Sequence, residues 1–254
     1  MNVINNPVKV FDLPTRLFHW AFALLFVGAF AIGKFGDDEG AIYPYHMMMG
    51  MLMTLALGLR ILWGIFGTKY ARFSSFKLSP SALIDYFKSI FAGNKKPTLG
   101  RNPASSFAAI AMFGLIIALG ISGYLMATAA TEDQMHDIKE VHEIFATLFL
   151  LIAVLHIIGI AVHTITQKDP IGLAMVSGTK AGVDGEVGIE NNHALAALAF
   201  VLALGAGAWA LTTNYDGTSK QLNLFGQTLQ LGETEHDEGQ GQGEHDEANE
   251  KDED

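Results

Sequence analysis

The stretch VHEIFATLFLLIAVLHIIGIAVH, residues 141–163, decides the fold. After Glu143 it carries no charged side chain, and the apolar block it belongs to, 144–165, is near the ~20 residues a helix needs to cross a hydrocarbon core. Histidines stand at 142, 156 and 163 of this otherwise apolar run. Fourteen residues turn a helix by nearly four full turns, so His142 and His156 sit ~40° apart around the axis and ~21 Å apart along it. One face of one membrane helix therefore presents two imidazoles at two depths.

Four further apolar blocks flank this one, at 17–35, 47–66, 107–128 and 194–213, and half of the 254 residues are hydrophobic. The pattern is that of an all-α integral membrane protein with five transmembrane helices. The first block starts too late, is too aromatic for a secretory signal and ends without a small-residue cleavage site, so it is expected to remain as a span. Between the second and third blocks stand Lys69, Arg72, Lys77, Lys88, Lys95, Lys96 and Arg101, whereas acids dominate the loops after the first block (Asp37, Asp38, Glu39) and the third (Glu132, Asp133, Asp137, Glu140). The positive-inside rule then places the amino terminus and the basic loop in the cytoplasm and the carboxyl terminus outside.

Within the basic loop, Ser79 before Pro80 reads as a helix start, and Leu83, Ile84, Phe87, Ile90 and Phe91 recur at helical spacing. A short amphipathic helix lying on the membrane face is expected. The glycine-rich segment 172–192 is expected to be irregular. The formal charge of −10 resides in the last residues, where 233–254 hold eleven acids and one lysine. That segment has almost no apolar side chain and reads as a disordered tail. The organisation expected is a membrane core at 1–180, a loop and fifth span at 181–213, and an extracytoplasmic acidic tail at 214–254. The absence of cysteine excludes disulfides, iron–sulfur clusters and thioether-linked haem.

Polar rings inside apolar blocks need partners. His19 is at the inner end of the first span and His46 at the outer end of the second, so topology pairs His46 with His142 outside and His19 with His156 inside. Two neutral imidazoles facing one another across a planar macrocycle give six-coordinate iron, suited to electron transfer. Arg60 follows His46 by fourteen residues and repeats the stripe one level lower. It is a candidate partner for the propionates of an inner haem, with Arg16 assisting, although snorkelling to the inner surface would also suit it. Gly50 and Gly64, each four residues beyond these positions, leave room either for a flat cofactor or for close helix packing.

At Arg16-Leu17-Phe18-His19-Trp20, His46-Met47-Met48-Met49-Gly50 with Arg60, Val141-His142-Glu143, Leu155-His156 and Ala161-Val162-His163, the chain resembles the prokaryotic cytochrome b561 family, which includes the b-type cytochrome subunits of nickel–iron hydrogenases. The resemblance covers roughly residues 8–180. It implies a four-helix core with two b haems ligated by His19, His46, His142 and His156, and quinone as the membrane partner. His163, ~20° and ~10 Å beyond His156 on the helix, rivals it by depth. The family pattern favours His156 and leaves His163 to line a quinone pocket. The implied activity is electron transfer between quinone and an extracytoplasmic redox protein such as a cytochrome c, in the bacterial inner membrane. Alternatives are an anchor and electron subunit of a hydrogenase or dehydrogenase, or a superoxide:quinone oxidoreductase. Membrane lipid is an expected partner and nucleic acid is not.

Overall fold

Asp12 starts the first helix: its carboxylate accepts from the Thr15 N–H at 3.0 Å, and Pro14 sits in the opening turn, where a missing N–H costs nothing. Ser79 and Asn102 repeat this arrangement ahead of Pro80 and Pro103, and Thr131 caps a fourth helix by accepting from the Gln134 N–H. A computed structural model describes residues 3–37, 40–94 and 98–232. Its helices are α1 (Leu13–Phe35), α2 (Tyr43–Phe66), α3 (Pro80–Phe91), α4 (Pro103–Ala127), α5 (Glu132–Gln167), α6 (Ile171–Ser177) and α7 (Ala194–Thr213). Among the described residues five of these, α1, α2, α4, α5 and α7, are long and apolar enough to cross a membrane.

The four-helix core comprises α1, α2, α4 and α5, packed around Ala29, Met53, Leu57, Ile116 and Phe149. Phe149 is 2% exposed and touches Phe26 with ring centroids 4.6 Å apart. It lies midway between His142 and His156 on α5, so an aromatic plug separates the two levels. The fifth span, α7, packs outside this core against α1 and α2, with Phe200 edge-on to Phe18 at 6.5 Å. Outward positions such as Leu24, Ile157 and Leu195 stay exposed and apolar, as a lipid-facing surface requires.

Short β-structure closes both ends of the bundle. At the end carrying the amino terminus, β1 (Val3–Lys9) pairs antiparallel with β2 (Thr179–Val183), matching Lys9 to Thr179 and Val3 to Val183. Val10, Phe11, Tyr70, Leu99, Ala174 and Val183 form a small core beneath this ribbon. At the far end β3 (Tyr215–Asp216), β4 (Gln221–Leu224) and β5 (Gln227–Gln230) form a meander whose Leu222, Leu229 and Leu231 pack on Met48 and Leu211. The β4–β5 hairpin turns on Phe225 and Gly226, at φ 51° and 80°, the two positive φ values a type I′ turn demands.

Two expectations are corrected here. The 172–192 segment contains α6 and β2 and is not irregular throughout. Residues 214–232, counted with the tail, are folded onto the far end of the bundle because three leucines at alternating or adjacent positions give them an apolar face. The acidic tail 233–254 with His236 and His245, and Asp38, Glu39, Lys95 and Lys96, lie outside the described residues.

Leu222 is fully buried beneath the meander. Leu222→Ala should loosen the meander at a local cost of about 2–4 kcal/mol. Limited proteolysis should then cut within 214–232 while circular dichroism shows unchanged helix content.

Candidate cofactor sites

The far end brings His46 of α2 and His142 of α5 together, with ring centroids 6.2 Å apart and planes at 69°. Metal–imidazole bonds of ~2 Å on either side of one ion, plus the ring radii, would bring two imidazole centres to ~6 Å. The tautomers follow from the partners. His46 Nδ1 lies 2.7 Å from the Ala29 carbonyl oxygen, which can only accept, so the proton is on Nδ1. The Ser122 hydroxyl donates to the Ala118 carbonyl at 2.9 Å, so its oxygen accepts from His142 Nδ1–H at 2.8 Å. Both rings thus keep the Nε2 lone pair uncommitted, and their Nδ1 partners are of the kind that orient metal-binding histidines.

Backbone shape at this site is equally specific. A Cβ on Gly33 would meet the His46 ring at 2.7 Å, so only glycine lets α1 approach it. A Cβ on Gly50 would meet nothing within 4 Å. It would project into a cleft of about 2480 Å³ lined by Gly33, His46, Gly50, Gly120, Gly123 and His142. The glycines line open space between the histidine helices, a shape that fits a flat macrocycle. Among the described residues no group of three or more His, Cys, Asp or Glu could hold a bare metal ion, so a planar group supplying its own equatorial donors suits a two-histidine site.

The second pair is at the end carrying the amino terminus. His19 of α1 and His156 of α5 are close enough to interact electrostatically, and both feel the Arg101 guanidinium. His19 Nδ1 is buried without a hydrogen-bond partner. Arg60 is 2% exposed, so it does not snorkel to the surface; its Nη2 donates to the Ala71 carbonyl at 2.8 Å, and Phe73 and Phe113 lie under the guanidinium at 5.4 and 6.0 Å. Arg16 is directed elsewhere: it donates to the Met175 and Val176 carbonyls, and Trp20 Nε1–H joins it on Met175 at 3.0 Å. These bonds fasten α6 to α1. Gly64, read as possible room for a cofactor, is filled instead by the Phe73 ring, which a Cβ there would overlap.

His163 is 6% exposed and has both nitrogens committed. Tyr86 of α3 lies 2.8 Å from Nδ1 and Asp169 lies 3.4 Å from Nε2. Burial, and then the Asp169 charge, push the Tyr86 phenol up to about 12, so it stays protonated and donates to Nδ1 while Nε2–H faces the carboxylate. No lone pair is left for iron. Lys180 Nζ completes the chain at 2.9 Å from Asp169 and 2.7 Å from the Thr98 carbonyl.

Sequence reasoning missed Arg101, Ser122, Asp12 and the Tyr86–Asp169–Lys180 set. Arg101 stood in the sequence only as one charge of the basic loop; the Asn102-Pro103 helix start directly after it was the available signal that it sits at the mouth of a span. The others are assembled by contacts distant in sequence, which leave no local pattern.

A family model described as prokaryotic cytochrome b561 matches residues 10–178. Comparison with curated proteins and with solved structures gives no significant match.

Burial acts to raise the Asp169 carboxyl, but the His163 hydrogen bond and Lys180 outweigh it and hold it below the usual 3.8. A lowered folded value means that this contribution is present above the unfolded pKa and is lost as pH falls through the folded one. Asp169→Asn should release β2 from the end of α5, read as faster amide exchange across Thr179–Val183. The difference from the unmodified protein should vanish in acid.

Proposed function

Because the chain belongs to the prokaryotic cytochrome b561 family, a family of membrane electron-transfer cytochromes that hold haem b, we propose that it carries two such haems and passes electrons across the bilayer between quinone and a redox protein on the other side. Haem supplies the one-electron chemistry, and the protein's part is to hold, orient and tune it. The observation that carries the reading is the far pair. His46 and His142 lie 6.2 Å apart with each Nδ1 committed to the protein, so both would hold a haem through Nε2 and favour electron transfer over oxygen binding. His19 of α1 and His156 of α5 are the second pair, one level away along α5.

The aromatic plug of Phe149 and Phe26 fills the interval between the levels, so the path between haems runs through packed side chains with water excluded. Quinone exchanges at the end carrying the amino terminus, beside the Tyr86–His163 stack, whose ring planes are 18° apart. With the basic loop cytoplasmic, the far pair is on the periplasmic side, and the meander over it is the surface that meets the soluble partner.

Substitution of the histidines tests this directly. In the purified protein with haem content measured, His46→Ala and His142→Ala should each remove the same low-spin component, and His19→Ala and His156→Ala the other. His163→Ala should keep both. Ser122→Ala should leave the far haem bound but retained roughly tenfold less tightly, the usual effect of removing an outer partner. Loss of the second component in His163→Ala, with His156→Ala unaffected, would transfer the ligand role to His163.

A further inference from the structure

Two buried guanidiniums act on one another without matching negative charge, and one of them, Arg101, also acts on His19 and His156. Arg60 Nη1 and Arg101 Nε are both buried and without hydrogen-bond partners. The Arg101 guanidinium lies over Phe76 at 4.9 Å and Phe11 at 5.7 Å, contacts that orient it but do not neutralise it. Burial first, and then the neighbouring Arg60 charge, push Arg101 down to about 9, so at neutral pH both remain cationic. Among the described residues Asp12 is the one carboxylate that acts on both. Its oxygens already accept from the Thr15 N–H, the Trp63 Nε1–H at 3.0 Å and the Thr68 hydroxyl at 2.6 Å. Two cations against one engaged anion leave a net positive pocket, and unpaired buried charge is costly.

We propose that Arg60 and Arg101 together form a cradle for the two propionates of the haem held by His19 and His156, with Arg101, on the loop ahead of α4, as its second arm. This rests on the two-haem reading above. A haem carries its two carboxylates on one edge, which matches a pocket short of two negative charges. The cradle faces that edge toward the end carrying the amino terminus, where Asp12, α1 and the start of α4 converge. Asp12 has a separate part: by accepting from Trp63 and Thr68 it ties the start of α1 to the end of α2, the helix that carries Arg60. A lipid phosphate is the other anion that two guanidiniums would take at this depth.

The test is a spectroelectrochemical titration of the full chain with its haems bound, as the unmodified protein, Arg101→Leu, Arg101→Lys and the exposed Arg72→Leu, with bound phospholipid phosphorus measured on the same samples. Two low-spin components should titrate in the unmodified protein; a single one overturns the two-haem reading itself, whatever Arg101 does. With two present, Arg101→Leu should shift only the His19–His156 component to lower potential, its reduction equilibrium falling roughly tenfold as a cation beside carboxylates is lost. Arg101→Lys should recover most of that shift, and Arg72→Leu should move neither component. Unmoved potentials overturn the cradle, and unmoved potentials with lost phosphorus assign the site to a lipid phosphate instead. Should Arg101→Leu fail to accumulate, resonance Raman spectra decide. The propionate bending mode should differ between Arg101→Lys and the unmodified protein, and identical modes overturn the proposal.

Discussion

An imidazole has two nitrogens, and inside hydrocarbon neither can be left to water. That constraint organises the bundle. At the far pair the protein satisfies one nitrogen of each ring, with the Ala29 carbonyl and the Ser122 oxygen, and leaves the other lone pair uncommitted. At His163 it satisfies both. Two histidines on one helix, His142 and His163, thus have different fates, decided by whether a partner stands within reach of the second nitrogen. Gly33, Gly50 and Gly123, on α1, α2 and α4, serve the same end, because a ring can turn toward a flat cofactor only where neighbouring backbones approach without side chains.

The two ends of the bundle are closed by different means. Near the amino terminus, Arg16 and Trp20 hold α6 against α1, the β1–β2 ribbon covers a small apolar core, and Lys180 reaches from β2 to Asp169. The far end is covered by the meander, whose leucines rest on α2 and α7. A membrane protein gains little from burying apolar side chains within lipid, since the tails are as apolar as leucine. Cohesion at the ends, where water is present, then matters more, and both β-units place their apolar cores there.

The fold was legible because membrane helices are written in local composition. Every span announces itself as an apolar run of bilayer length, and four of the seven helices begin at a capping residue visible in sequence, three of them with proline behind it. The meander was not legible: Leu222, Leu229 and Leu231 become a core only against Met48 and Leu211, and in sequence they are a few leucines among polar residues leading into an acidic tail. The positions of the histidines were readable in the same way, as polar rings at matched depths in apolar helices.

The sequence by itself determined five spans, the depth of each histidine and the pairing of depths, because helix rise and bilayer thickness convert residue number into height. Which nitrogen of each ring is free, and which charges stand beside it, only the tertiary structure decided. Ser122 and His142 are twenty residues apart, His46 and Ala29 seventeen, and Arg101 reaches His19 from a loop that follows two helices later. Hydrogen bonds and unpaired charges depend on ångström-scale approach between helices, and no spacing along one chain specifies that approach.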